Sequence, residues 1–429
     1  MKFGQLIKLH RLKSHMTQQQ LAASICSPSY LSKIEKDRVV PKLTIQHALL
    51  DRLNLSQETI HQINEETFFK NIERAYMTVL SLHEAHHAKI VFNSFSPFSI
   101  KFRNTDYFYK TNLYLLHIAI IAEEPIETIQ HLIEGIHSIQ THLNAEQQFL
   151  YTYNSALYYF KLQRYKDALK AVQRTLQLLT ELTVNPLEKG AIYYLQSRIY
   201  FYLYEYGSAY TAAKKALKIY MNIDCHDYVL KCYNLLGIIN LRYNNFDYAL
   251  KYFINGYEYA VQLGKTAYYG RFLQNLGLTN SRMQKSKVAI DYYMRSLEKK
   301  SDPKRQLISI HSIIKEYSKL EKDKDVVYWA NKGLHIIEDH HLQTTNLHHY
   351  YHFKAFLMIH HTKDIDFDFF RKLIVYFEQI NDQRSVQKYA YVAAQKAQQK
   401  HSMIEALNFY KIAHDASLAS HNTVYWQDL

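Results

Sequence analysis

The stretch TQQQLAASICSPSYLSKIEKDRVVP, residues 17–41, decides how the amino-terminal part of this chain folds. Thr17 supplies a hydroxyl that can cap a helix, and Gln20 stands three residues later, which completes a capping box. Leu21 and Ala22 follow as an apolar face, and Ala22 is small enough for a second helix to cross closely. These residues predict a short helix with a defined start and a buried side.

A second helix is predicted directly after a short turn. Ser27 can cap this helix, and Pro28 fits its first position, where the missing N–H removes no hydrogen bond. Tyr30, Leu31 and Ile34 mark the inward side, and the polar residues left for the other side are Ser29, Ser32, Lys33 and Lys36. Two capped helices joined by a short turn form the layout of a helix-turn-helix, whose second helix enters the major groove of DNA.

Over residues 3–60 the chain resembles the Cro/C1-type (Xre-like) helix-turn-helix family. The pattern T-Q-x-x-L-A, followed by S-x-I-E and then proline, carries the resemblance. The resemblance implies that Gln18, at the start of the first motif helix, binds a phosphate. It also implies contacts to base edges or to the backbone from Ser27, Ser29, Tyr30 and Lys33, and contacts to phosphates from Lys36 and Arg38.

The charge of this segment has the sign that a phosphate backbone requires. Residues 1–60 hold nine Lys and Arg residues against four Asp and Glu residues, within a chain of formal net charge +13. We therefore expect double-stranded operator DNA as a partner. The alternative is a small helical bundle whose basic face is only solvated.

Composition limits the class of the whole chain. A length of 429 residues suggests two or three domains, and 10 Gly and 6 Pro without long Val/Ile alternation argue against a sheet-rich fold. No apolar run approaches the length of a membrane span. The three cysteines lack metal-ligand or CxxC spacing. We expect an all-α cytoplasmic protein with reduced thiols and no membrane partner, metal or cofactor.

Small residues and aromatic residues recur along the remainder of the chain. Ala156, Ser197, Gly237 and Gly277 occupy the same position in successive units, at offsets of 41, 40 and 40 residues. Aromatic and small residues follow each of them in the same frame, and weaker copies extend to about residue 413. Each unit predicts two antiparallel helices, because one such pair cannot bury its apolar face without a neighbour.

This pattern resembles the tetratricopeptide repeat, although the units are longer than the usual 34 residues. The resemblance implies a right-handed superhelix with a concave groove. A helix-turn-helix joined to such an array resembles the RNPP group of peptide-pheromone-responsive transcription regulators, particularly its PlcR-like and NprR-like members. That resemblance implies a homodimer switched by a short signalling peptide in the groove.

The domains expected on this basis are a helix-turn-helix domain at 1–60, a linker at 61–104, and a repeat domain for peptide binding and dimerisation at 105–429. The linker is expected to hold one helix near 57–92 and then a loop around 94–104.

The groove candidates lie on the first helix of each repeat. Asn154, Asn234 and Asn275 occupy near-equivalent places, and an Asn amide can both donate to and accept from a peptide backbone. The cations on the same helices that could bind a peptide carboxylate are Arg198, Lys231 and Arg271. For each Asn, the alternative is a solvent-exposed helix residue or a local cap.

Two other functions remain open at this stage. Residues 83–87, HEAHH, match the zinc-peptidase pattern HExxH, in which a helix presents His83 and His87 on one face and Glu84 acts as base. No third ligand is evident, so we expect no enzyme. The other alternative is a Rap-like scaffold that binds a response regulator, for which no spacing singles out a residue.

Overall fold

A computed structural model describes residues 3–14, 16–36, 38–53, 57–95, 102–137, 140–361 and 366–420. Within these ranges the regular structure is helical and contains no strand, which confirms the all-α class. None of the described helices is long and apolar enough to cross a membrane. The chain divides into two compact units, Met1–Leu235 and Leu236–Leu429.

The first four helices are α1 (Phe3–Lys13), α2 (Gln18–Ala22), α3 (Pro28–Glu35) and α4 (Leu43–Arg52). They enclose a small core of fully buried apolar side chains, among them Ile7, Leu21, Leu31 and Leu49. The helix-turn-helix predicted from residues 17–41 is therefore formed by α2 and α3, and α1 and α4 contribute to the same core.

Four helices follow, namely α5 (Gln57–Leu82), α6 (Ala85–Phe95), α7 (Thr105–Ile121) and α8 (Ile126–His137). The prediction of one linker helix near 57–92 is wrong at one point. The backbone of His83 has a φ of 50°, outside the helical region, so α5 ends at Leu82 and α6 begins at Ala85. The loop expected at 94–104 lies partly outside the described residues.

The repeat region consists of consecutive helix pairs, as the 40-residue frame predicts. The pairs are α9 (Ala145–Lys161) with α10 (Tyr165–Leu178), α11 (Pro186–Tyr202) with α12 (Tyr206–Asn222), α13 (His226–Arg242) with α14 (Phe246–Gln262), α15 (Tyr269–Arg282) with α16 (Ser286–Glu298), α17 (Pro303–Lys319) with α18 (Asp323–Asp339), α19 (Leu347–His361) with α20 (Phe367–Gln379), and α21 (Gln383–Gln399) with α22 (Met403–Ser420).

A common turn joins the two helices in several of the pairs. In the turn after α9, Gln163 has a φ of 58°, and the next N–H, that of Arg164, donates to the carbonyl of Tyr159 at 2.9 Å. The turn after α15 repeats this geometry, with Gln284 at φ 60° and a bond of 2.9 Å from Lys285 N to Asn280 O. These six-residue closures are Schellman motifs, which satisfy carbonyls left open at a helix end.

The small residues of the frame make room for aromatic rings. A Cβ atom on Gly237 would lie 2.3 Å from the ring of Phe253, and one on Gly277 would lie 2.6 Å from the ring of Tyr293. Both distances are well below van der Waals contact, so only glycine permits this approach of the two helices. The small and aromatic residues that recur in the sequence therefore pack directly against each other within a repeat.

Candidate functional site

The caps of the helix-turn-helix have the predicted geometry. Thr17 Oγ1 accepts a hydrogen bond from Gln20 N at 3.1 Å, and Gln20 Oε1 accepts one from Thr17 N at 2.7 Å. Ser27 Oγ accepts from Tyr30 N at 3.2 Å and lies 3.1 Å from Ser29 Oγ. The Ser27 hydroxyl is therefore already used to start α3.

Helix α3 has the buried face and the exposed face that the sequence predicts. Leu31 and Ile34 are buried, and Tyr30 is half-buried against the same core. Four of the residues predicted to contact DNA have exposed side chains on α3 or directly after it, and these are Ser29, Lys33, Lys36 and Arg38. This exposed face carries hydroxyl and cationic groups, which are the groups that bind base edges and phosphates.

A buried ion pair that the sequence did not indicate connects α1 and α3. Arg11 Nε and Nη2 donate to the two carboxylate oxygens of Glu35 at 2.6 and 3.0 Å, and this partner raises the pKa of Arg11. Gln18 Nε2 also donates to Glu35, at 2.7 Å. Gln18 therefore supports the position of α3, and its contact with a phosphate stays a prediction.

Asn154 is a buried residue. Its side chain is 1% exposed. Its Nδ2 donates to the carbonyl of Leu113 at 2.8 Å, and its Oδ1 lies 3.0 Å from Nδ1 of His117. Both ends of the amide are used between α7 and α9, so the assignment of Asn154 to a ligand-binding surface is corrected to a structural role.

Arg198 and Lys231 each contact an aromatic ring, and Lys231 also contacts the linker. The guanidinium carbon of Arg198 lies 4.4 Å from the centre of the Phe160 ring. Lys231 Nζ lies 4.6 Å from the centre of the Tyr228 ring and donates to the carbonyl of Leu82 at 3.0 Å. Arg198 and Lys231 are half-buried, as is Asn234 on the same helix as Lys231.

Arg271 and Asn275 are brought together in the second compact unit. They line a cleft of about 360 Å³, to which Gln274, Lys300 and Arg305 also contribute. The other predicted groove residues belong to the first compact unit. Sequence reasoning found two lining residues of this cleft and missed Lys300, which lies between α16 and α17 and outside the repeated frame.

The structure lacks the geometry that the zinc-peptidase pattern requires. HExxH places two ligands on one face only within a continuous helix, whereas His83 lies between α5 and α6. Burial lowers the pKa of His83 to about 3, with Lys231 as a further cause. Among the described residues, no group of three or more His, Cys, Asp or Glu side chains is placed to hold a metal ion.

Comparison with known proteins supports the class of the chain. Residues 2–62 match the helix-turn-helix domain family. The chain is 25% identical over 406 residues to the transcriptional activator NprA of Geobacillus stearothermophilus, which covers 92% of this chain and 98% of NprA.

Two solved structures show the same fold. The apo form of RapI has a TM-score of 0.69 at 15% identity, covering 82% of this chain and 98% of RapI. The apo quorum sensor NprR from B. thuringiensis has a TM-score of 0.64 at 16% identity, covering 83% of this chain and 99% of NprR.

The fold consists of a helix-turn-helix domain with an exposed basic face on α3, followed by an array of helix pairs. The comparisons confirm the resemblance to RNPP-type regulators that the sequence predicts. The transcriptional activator NprA and the quorum sensor NprR, to which the chain is similar, are described as regulatory proteins.

Proposed function

We propose that this chain is a cytoplasmic transcription regulator that binds operator DNA through α3 and is switched by a short signalling peptide held by its repeats. The observation that carries the proposal is the exposed face of α3 with Ser29, Lys33 and Lys36, on a helix whose other side is buried. We assign DNA binding to 1–60, the linker to 61–104, and peptide binding and dimerisation to 105–429.

The DNA-binding part of the proposal follows from shape and charge. A helix can lie in the major groove only if one face is free of protein contacts and its axis is held by the rest of the domain. The Ser27 cap and the Arg11–Glu35 pair hold α3 at both ends. This pair neutralises one cation and one carboxylate internally, so the excess of positive charge in residues 1–60 is left for the DNA.

The peptide-binding part of the proposal rests on the first helices of the repeats. Arg198, Lys231 and Asn234 remain candidates in the first compact unit, and Arg271 and Asn275 in the second. We leave Asn154 out of the proposed peptide site, because it is buried. The description of NprR as a quorum sensor supports a signalling ligand for a chain of this fold.

Dimerisation completes the proposal. A single helix-turn-helix buries little surface on DNA, and a two-fold protein matches a palindromic site. We propose the repeats from about residue 307 onwards as the dimer contact. Light scattering at micromolar concentration, with and without DNA, should show a dimer, and only monomer in both samples would contradict this part.

The direct test is selection of random double-stranded DNA by the purified full-length chain, with and without a pool of short synthetic peptides. We expect a palindromic consensus whose recovery changes with peptide. The double variant Ser29→Ala/Lys33→Ala, shown to be folded by circular dichroism, should recover no consensus. A wild-type chain that selects no DNA sequence, but binds a phosphorylated receiver domain, would favour the Rap-like scaffold instead.

A further inference from the structure

A lysine reaches into the cleft of the second compact unit from the loop between α16 and α17. Lys300 Nζ donates to Gln274 Oε1 at 2.9 Å and to Ser309 Oγ at 2.7 Å. The Ser309 hydroxyl in turn donates to the same Gln274 oxygen at 2.7 Å. The ammonium group is thus held in a fixed place by uncharged acceptors on α15 and α17.

This ammonium group has no anionic partner of its own. Among the described residues, no carboxylate forms an ion pair with Lys300, and the nearby Asp302 pairs with Arg305 at 3.5 Å. Burial lowers the pKa of Lys300 to about 8, and the charge of Arg305 contributes in the same direction. A partly buried cation without a counter-charge is unfavourable, and an incoming anion would relieve this.

The backbone of α15 leaves room for this arrangement. A Cβ atom on Gly270 would lie 2.9 Å from Cγ of Lys300 and 3.3 Å from the carbonyl oxygen of Ser296. A larger residue at position 270 would therefore displace the lysine side chain. Gly270 allows Lys300 to pass close to the helix and to present its ammonium group inside the cleft.

The lining of the cleft adds further positive charge. Arg271, Lys299 and Arg305 line it together with Lys300, against the single carboxylate of Asp302. Asn275 and the apolar residue Ile308 also line the cleft. The cleft, of about 360 Å³, can hold a carboxylate together with the side chain that carries it.

We propose that this cleft is an oxyanion site in which Lys300 binds a carboxylate group of a peptide lying along the repeats. Arg271 and Arg305, which also line the cleft, strengthen the attraction, and Gln274 and Ser309 hold the ammonium group in position. The inference rests on the proposed peptide-binding function and adds the chemistry of the peptide group that is recognised.

The test uses the full-length chain and two synthetic heptapeptide pools. Peptides of the first pool have free carboxyl termini and contain Asp and Glu. Those of the second are amidated and carry Asn and Gln at the same positions. Peptides that remain bound after size exclusion are identified by mass spectrometry, and their affinities are measured by calorimetry.

The wild-type chain should retain peptides from the first pool. Lys300→Met should weaken their binding about tenfold to hundredfold, which is the usual effect of removing a charge-assisted hydrogen bond. Met keeps most of the buried volume, and a matching thermal transition would show that the variant is folded. Gly270→Ala should weaken the same peptides without removing any charge. Lys287 is an exposed lysine on α16. Lys287→Met is therefore the matched control, and this variant should bind the peptides like the wild type.

The other results are equally informative. Equal retention of both pools, or unchanged affinity in Lys300→Met, would overturn the inference and leave the proposed peptide function standing. Retention of neither pool would overturn the proposed function itself. If inorganic phosphate binds the wild type but not Lys300→Met, and neither pool is retained, the cleft takes a small anion and the assignment to a peptide carboxylate is overturned.

Discussion

The guanidinium group of Arg11 binds both carboxylate oxygens of Glu35, with nitrogen–oxygen distances of 2.6 and 3.0 Å. The two residues are 24 positions apart, on α1 and on the last turn of α3, and both are buried. Arg11 also donates to the carbonyl of Met16 at 2.8 Å, just before α2. The orientation of α3 therefore depends on a buried pair, which is separate from the exposed face that we propose for DNA binding.

Arg11→Met should destabilise the amino-terminal domain by about 3–5 kcal/mol, because it leaves the buried Glu35 carboxylate without its cation. Hydrogen exchange measured by mass spectrometry should show lost protection in α3. Lys70→Met is a control, because it breaks only an exposed ion pair with Glu66 on α5. Equal exchange in Arg11→Met and the wild type would mean that the ion pair does not hold α3.

Lys33→Ala should weaken operator binding and reduce the slope of log K against log salt by about one, if Lys33 neutralises one phosphate. Fluorescence anisotropy at several salt concentrations measures both quantities. Lys189→Ala removes the same charge from an exposed position on α11 and should leave the slope unchanged. Operator affinity that survives in a folded Ser29→Ala/Lys33→Ala variant would rule out α3 as the DNA-reading helix.

Asn154→Ala should cost about 1–3 kcal/mol of stability, because the Leu113 carbonyl and the His117 ring lose a buried partner. Asn275→Ala should weaken peptide binding, since Asn275 lines the cleft. Urea denaturation and calorimetry separate the two effects. The assignment of roles would be wrong if Asn154→Ala weakened peptide binding while keeping full stability.

Gly277→Ala should destabilise the repeats by about 1–3 kcal/mol, because the new Cβ atom meets the Tyr293 ring. Gly207→Ala is the matched substitution, since no atom lies within 4 Å of a Cβ built there. It should be neutral or slightly stabilising, because alanine favours a helix over glycine. Thermal unfolding of both variants checks the prediction, and similar shifts in both would contradict it.

Acidification should destabilise the folded chain through its buried histidines. Burial lowers the pKa of His83 to about 3, that of His117 to about 4 and that of His349 to about 3, against about 6.5 in an unfolded chain. Below pH 6.5 these histidines therefore bind protons in the unfolded state but stay neutral in the folded state. Stability should be fully present above this pH and decrease as the pH falls towards the folded pKa values.

The steepest part of this loss should involve α17 and α19. The rings of His311 and His352 stack at 4.4 Å, and Lys388 and His349 are charged or titratable neighbours that further lower both pKa values. Melting temperatures between pH 7.5 and 5 measure the effect. His349→Phe should make the dependence shallower, and an unchanged slope in this variant would count against the histidines as its source.

Much of the helix-turn-helix could be predicted because its signals are local. The Thr17–Gln20 box and the Ser27 cap each join atoms three residues apart, so the residue types alone indicate the bonds. The break at His83 was missed, because helical periodicity continues across it and only the backbone angle reveals the end of α5. The turns at Gln163 and Gln284 have glutamine where glycine is the usual residue for a positive φ, so the residue type does not indicate these turns.

The candidate peptide-binding residues, in contrast, could not be distinguished from core residues by sequence alone. Asn154 and Asn275 occupy near-equivalent places in the repeat frame, yet the first is buried against α7 and the second lines an open cleft. Repeat position alone cannot separate them, because the difference comes from which neighbouring helix covers each amide. Lys300 was missed for the same reason, since its importance comes from the acceptors around it.

The sequence by itself determined the all-α class, the capped helix-turn-helix and the recurring helix pairs. These features follow from the spacing of residues within one helix or between adjacent helices. Over such short distances along the chain, the residue types allow few alternative conformations. Only the tertiary structure decided that Glu35 faces Arg11, that Asn154 is a core residue and that Lys300 lies in a cleft. Burial and charge pairing depend on side chains from distant parts of the chain, and these become neighbours only when the helices pack.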